Sequence, residues 1–130
     1  MSTKATQRLT AYCRNRAGQD LRSVVRYNAD RYELVYLRDD LQAQYSSGQF
    51  EDLVEEARGV HNRVWAVGTQ DGPLGSAQAT VHYFNNAFVL QLVPEEEQGF
   101  FMTFNSSVGQ SLGSFIHDCL QQVNPEATEE

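Results

Sequence analysis

Phe100-Phe101-Met102-Thr103-Phe104 is apolar at odd and even positions alike. A strand of that kind has no face to offer to water, so it predicts the centre of a sheet covered on both sides. The rest of the chain must supply both neighbouring strands and covering helices. Two hairpins provide the strands. Leu21 to Tyr27 and Tyr32 to Arg38 flank Asn28-Ala29-Asp30-Arg31, and Ala77 to Phe84 and Phe88 to Val93 flank Asn85-Asn86; both patterns predict strand pairs joined by tight turns.

A loop centred on Ala29 and Asp30 pairs Tyr27 with Tyr32, Val25 with Leu34 and Arg26 with Glu33. Strict alternation then places Leu21, Val25, Tyr27, Tyr32, Leu34 and Tyr36 on one face, with Arg22, Val24, Arg26, Glu33, Val35 and Leu37 on the other. The same rule gives the second hairpin one face of Ala79, Val81, Tyr83, Phe88, Leu90 and Leu92. Its other face holds Gln78, Thr80, His82, Phe84, Val89, Gln91 and Val93.

Three segments have helical spacing. Thr3 to Ala17 carries Leu9, Tyr12 and Cys13, with Gly18 as a terminator. Ser46 and Gln49 spell a capping box before the stripe Phe50, Leu53, Val54, Ala57 and Val60. That helix either ends at Gly59 or continues through His61 and Arg63. Ser107 and Gln110 spell a second box, before Val108, Leu112, Phe115, Ile116, Cys119, Leu120 and Val123, a stripe expected to be buried and to stop before Pro125. Gly68 to Gly75 predicts a loop. Residues 1–124 thus form a single α+β domain, and 125–130 a disordered acidic tail.

The order helix, strand, strand, helix, strand, strand, strand, helix resembles the roadblock and longin group of profilin-like domains. That resemblance implies a five-stranded antiparallel sheet of order 2-1-5-4-3, with the middle helix on one face and the first and last helices on the other. Cys13 and Cys119 would then lie on neighbouring helices. It also implies a homodimer joined through the third strand and middle helix, serving as a scaffold or a partner of small GTPases. Tyr32-Glu33-Leu34-Val35-Tyr36-Leu37-Arg38-Asp39-Asp40, followed by Tyr45-Ser46, resembles small uncharacterised proteins of salt-loving archaea.

Charge agrees with that second resemblance. Of ten basic residues nine are arginine, Lys4 being the one lysine, against seventeen acids and a net charge of -7. An acidic, lysine-poor surface suits a cytoplasm at high salt, where charge repulsion is screened within roughly 3 Å at 1 M; GC-rich coding would also replace Lys by Arg. The net charge argues against general nucleic-acid or anionic-membrane binding. No run of 18 apolar residues and no signal-like N-terminus is present, so a cytoplasmic location is expected.

Chemistry-bearing patterns fail on local geometry. His61, His82 and His117 share no metal-ligand spacing, and His117 and Cys119 do not share a helix face. Gly109-Gln110-Ser111-Leu112-Gly113 has the hydrolase spelling GxSxG, yet Ser111 falls inside a helix and not on a strand-to-helix turn. Gly109 and Gly113 are better explained by close packing of the helix on the sheet. The Gly68 to Gly75 loop lacks a phosphate-cradle ending. Asp39-Asp40 and Glu55-Glu56 fall on solvated surface, and Arg22, Arg26, Arg31 and Arg38 are offset by neighbouring acids. No enzyme activity, metal or cofactor is expected. What remains is contact: Trp65, His82, Phe84, Val89 and Val93 form a candidate interface for a homodimer or an unknown protein partner. Alternatively, Trp65, His82 and Phe84 line a small-ligand pocket under the middle helix, as in a profilin-like sensor.

Overall fold

A computed structural model describes residues 4–68 and 72–123. The expected acidic tail and the middle of the Gly68 to Gly75 loop lie outside the described residues. The helices are α1 (Lys4–Ala17), α2 (Ser47–Val67) and α3 (Gln110–Val123). The strands are β1 (Leu21–Tyr27), β2 (Tyr32–Leu37), β3 (Ala79–Tyr83), β4 (Ala87–Leu92) and β5 (Gly99–Asn105). They form one antiparallel sheet of order β2-β1-β5-β4-β3. β5 is central, as its two-sided apolar pattern requires. α2 covers one face, while α1 and α3 lie on the other.

Val25, Tyr27, Phe50, Val54 and Phe101 fill the α2 face. Cys13, Leu21, Val24, Met102 and Phe104 fill the α1 face, with Leu9, Val35 and Tyr36 packed against them. Leu21 and Tyr36 therefore sit on the face opposite to the one alternation assigns, and two β-bulges are the reason. Leu21 pairs with Phe104 and Ser23 with Thr103, leaving Arg22 as an extra residue on β1. Val24 pairs with Tyr36 and Val25 with Leu34, leaving Val35 as an extra residue on β2. An extra residue reverses the facing of everything beyond it. Tyr36 then lies beneath Arg14 of α1, whose guanidinium carbon is 4.9 Å from the ring centroid.

α2 begins with the expected capping box: Ser46 Oγ accepts from the Gln49 N–H at 3.2 Å, and Gln49 Oε1 accepts from the Ser46 N–H at 3.0 Å. The helix does not stop at Gly59. A helix-interior glycine costs about 1 kcal/mol, and the next turn offsets this by burying His61 and half-burying Val60. Ser107, by contrast, does not cap α3. It lies in a 3-10 turn (Ser106–Gly109) that runs directly into the helix without a side-chain cap.

α3 also departs from expectation in its packing. Gly113 is buried, and a Cβ there would press on the Tyr83 ring at 3.0 Å; a Cβ on Gly109 would meet the Phe88 ring at 3.0 Å. These glycines seat the helix on β4 and β3, as their close-packing role predicts. The apolar stripe is not buried, however: Leu112, Phe115, Cys119, Leu120 and Val123 are all exposed. Tyr12 of α1 is exposed as well. Cys13 is buried, and both thiols are free.

Gly99 stands opposite Tyr27 in the β1–β5 ladder. A Cβ on it would strike the Tyr27 hydroxyl and lie 2.8 Å from the Leu92 carbonyl oxygen. Gly99→Ala should therefore lower the unfolding free energy by roughly 2 kcal/mol, as overpacking does elsewhere, read from the midpoint of urea unfolding at unchanged slope.

Candidate functional site

Tyr27 reaches across the gap that Gly99 leaves and joins three elements. Its hydroxyl is 2.6 Å from His61 Nδ1 on α2 and 2.7 Å from Gln91 Nε2 on β4. Gln91 Nε2 also donates to the Ala57 carbonyl at 2.7 Å, and His61 Nε2 lies 2.8 Å from the Glu95 carbonyl. A carbonyl only accepts, so in the neutral ring Nε2 carries the hydrogen and Nδ1 accepts from the Tyr27 O–H. Tyr27 in turn accepts from Gln91. Every donor in this chain thus finds an acceptor, and the network pins α2 to β1, β4 and the turn after β4. Arg58 adds a fourth tie, donating from Nε to the Asn28 carbonyl at 2.7 Å.

This network escapes strand alternation, which treats Tyr27 as one more aromatic face residue. Two signals do point to it. His61 continues the α2 stripe Phe50, Val54, Ala57, and Gln91 is the one polar residue of β4. A polar group on a buried row demands a partner.

The candidate residues named above separate. His82, Phe84 and Val89 line an apolar cavity of about 230 Å³ between β3, β4 and α2, together with Ala57, Val60 and Phe101. His82 Nε2 lies 3.1 Å from Thr80 Oγ1, beside that space. Trp65 is elsewhere, stacked on His61 with ring centroids 6.3 Å apart. Val93 is 1% exposed and belongs to the core, so it offers no contact surface.

The two sheet edges differ in kind. β2 carries Glu33, is flanked by Arg31 and Arg38, and is bulged at Val35; charge and bulge are the devices that keep an edge from pairing with another chain. Arg38 is held by Asp40 at 2.6 Å, and that hydrogen bond keeps the Asp40 carboxyl below its ordinary value. β3, Ala79-Thr80-Val81-His82-Tyr83, has no acid, lysine, arginine, proline or bulge. The Phe84 N–H donates to the Ala87 carbonyl and the Val93 N–H to the Gln78 carbonyl. Alternation along the ladder then turns the backbone groups of Ala79, Val81 and Tyr83 away from β4, along the open edge. Val81, Tyr83 and Phe84 are exposed there.

Among the described residues, no group of three His, Cys, Asp or Glu side chains is placed to hold a metal ion, and no helix is long and apolar enough to cross a membrane. Ser111 and His117 lie exposed on α3, where His117 contacts Gln121 at 2.8 Å.

The class defined by this fold is a two-faced α+β sandwich with one guarded and one unguarded edge. Residues 7–124 match the DUF7522 family, described as a domain of unknown function, and the chain belongs to that family. No curated protein matches the sequence.

Burial pushes the Tyr27 phenol above its ordinary value, opposed by the Gln91 hydrogen bond and the nearby Arg58 charge. A value raised on folding means that stability is complete below the unfolded value, about 10, and falls as the pH climbs through the folded one. In an alkaline absorbance titration one of the six tyrosines should therefore ionise late, and Tyr27→Phe should remove that late step. At neutral pH the same substitution should cost about 1 to 3 kcal/mol, because it leaves Gln91 and His61 without their shared partner.

Proposed function

We propose that this domain is a non-enzymatic interaction module that works as a homodimer, two copies joining their β3 edges into one continuous ten-stranded sheet. The observation that carries this reading is the contrast between the edges. A strand with exposed Val81, Tyr83 and Phe84 and no charge is a template for another strand, and two identical edges related by a two-fold axis pair antiparallel. On the α2 side of that strand Leu53, Ala57 and Val60 line the cavity shared with His82 and Phe84, with Glu56 at its margin.

Charge favours a second copy through this strand. Two chains of net charge -7 repel, and β3 itself adds no acid to that repulsion. The reading matches the roadblock and longin domains that the topology resembles, with the other surfaces left for a further protein partner. An acid-rich composition with arginine in place of lysine suits a salt-rich cytoplasm, where screening would relieve the residual repulsion.

A second reading rests on the cavity beneath α2. At about 230 Å³ it is below the usual range for ligand pockets, but a small apolar ligand held by Phe84, Val89 and His82 would make this a sensor. An apolar reporter dye that binds the wild type and not Val89→Phe would support it, and a dye that binds neither would remove it.

The dimer has a direct test. Sedimentation in molar salt should show wild-type dimers, weaker in dilute buffer. Val81→Pro should yield monomers with unchanged circular dichroism, because the Val81 amide faces outward and has no partner in β4. Monomeric wild-type protein, or a Val81→Pro dimer of wild-type affinity, would refute the proposal.

A further inference from the structure

The path of α3 carries its apolar side past the edge of the sheet. After the central strand the chain passes through the 3-10 turn beside β5 and β4, lays Gly109 on the Phe88 ring of β4 and then Gly113 on the Tyr83 ring of β3. The helix is thus walking outward across the strands, and Tyr83 is on the last of them. Ile116, Leu120 and Val123 follow the two glycines on the same side of the helix, at successive steps of three or four residues. Their exposure rises with distance from the edge. Gly113 is buried, Ile116 half-buried, Leu120 51% exposed and Val123 71% exposed. At 1.5 Å per residue Val123 lies about 15 Å beyond Gly113, some three strand spacings. The underside of α3 therefore extends, apolar, beyond the last strand of one copy.

We propose that α3 of each copy crosses the two-fold axis and seats Ile116, Leu120 and Val123 on the sheet of the other copy. This rests on the β3 pairing proposed above. The register that uses all three outward-facing residues sets Val81 against the partner's Val81 and Tyr83 against the partner's Ala79. Ala79 pairs in turn with Leu92 of β4. Ile116, about 4.5 Å past Gly113, then falls over the partner's Ala79, and Leu120, about 10 Å past it, over the partner's Leu92.

That destination is open. An apolar cavity of about 520 Å³ lies over Leu92, walled by Leu9 of α1, Phe100 and Pro94. The two crossing helices would run antiparallel about 14 Å apart, four residues of strand, beyond the 8 to 10 Å at which helices touch. Both therefore fit, and the exposed Leu112 and Phe115 can occupy the space between them. Charge favours this helix over α2 for a contact between two acidic copies: Asp118 is the one acid of α3, and it has no lysine or arginine, whereas α2 exposes Glu51, Asp52, Glu55 and Glu56. The arrangement explains why the strongest amphipathic stripe of the chain is left uncovered in a single copy.

The test combines affinity with covalent trapping, in full-length protein at molar salt. Leu120→Glu, at a site exposed in one copy, should leave the fold intact and weaken dimerisation at least tenfold by sedimentation equilibrium. Separately tagged copies carrying Leu120→Cys and Leu92→Cys, both on a Cys119→Ser background, should form a disulfide-linked heterodimer under mild oxidation. Wild-type dimers with neither the Leu120→Glu effect nor the cross-link would overturn the crossing helix and leave β3 pairing standing. Absence of the cross-link overturns it even where Leu120→Glu weakens the dimer. Monomeric wild-type protein would overturn both.

Discussion

The Tyr27 hydroxyl is the point on which this sandwich is assembled. It donates to His61 of α2 and accepts from Gln91 of β4, while His61 holds the Glu95 carbonyl. Three segments distant in sequence are thereby fixed by groups that water does not reach. Such a network is worth little against water if complete and costs much if broken, so its contribution is specificity of arrangement. Gly99 is the backbone condition for it, because any side chain there would occupy the space of the phenol. The α2 face is tied down as a result, with Tyr27, His61 and Gln91 matched and Trp65 stacked on His61.

The opposite face is not finished. α1 packs through Leu9 and Cys13, and α3 touches the sheet through two glycines, leaving apolar side chains of both helices in water. Scattered exposed hydrophobic residues are normal on any protein surface, but a contiguous apolar face is a contact waiting for its other half. The same asymmetry recurs at the edges, with β2 guarded by charge and a bulge and β3 bare. Unfinished face and bare edge meet at Tyr83, beneath Gly113. The proposed symmetric contact there would satisfy both.

Much of this was legible in sequence, and the failures are physical. Element order and the register at the hairpin turns follow from periodicity and turn residues, the strand order was implied by the resemblance to roadblock and longin domains and is the one observed, and Ser46 with Gln49 marks the true start of α2. Alternation failed at Leu21 and Tyr36 because Arg22 and Val35 each add a residue that no local pattern announces. The stripe of α3 is amphipathic as its spacing predicts but exposed where burial was expected, since periodicity reports a face that seeks cover without saying whether one chain provides it. For the candidate site, His82, Phe84 and Val89 do converge. Val93 and Trp65 do not, because facing on a strand or helix fixes direction and leaves depth to tertiary packing. Tyr27, His61 and Gln91 were missed as a unit because their contacts are 34 and 64 residues apart in the chain.

The central claim is that β3 is an internal strand of a larger sheet, and the backbone amide of Val81 reports on it most directly. At a free edge it would exchange with solvent freely, while the amides of β1 remain protected by the sheet around them. Hydrogen exchange followed at several protein concentrations should show the Val81 amide protected, with protection that deepens as concentration rises. Rapid exchange at Val81 at every concentration, with β1 still protected, would contradict the account.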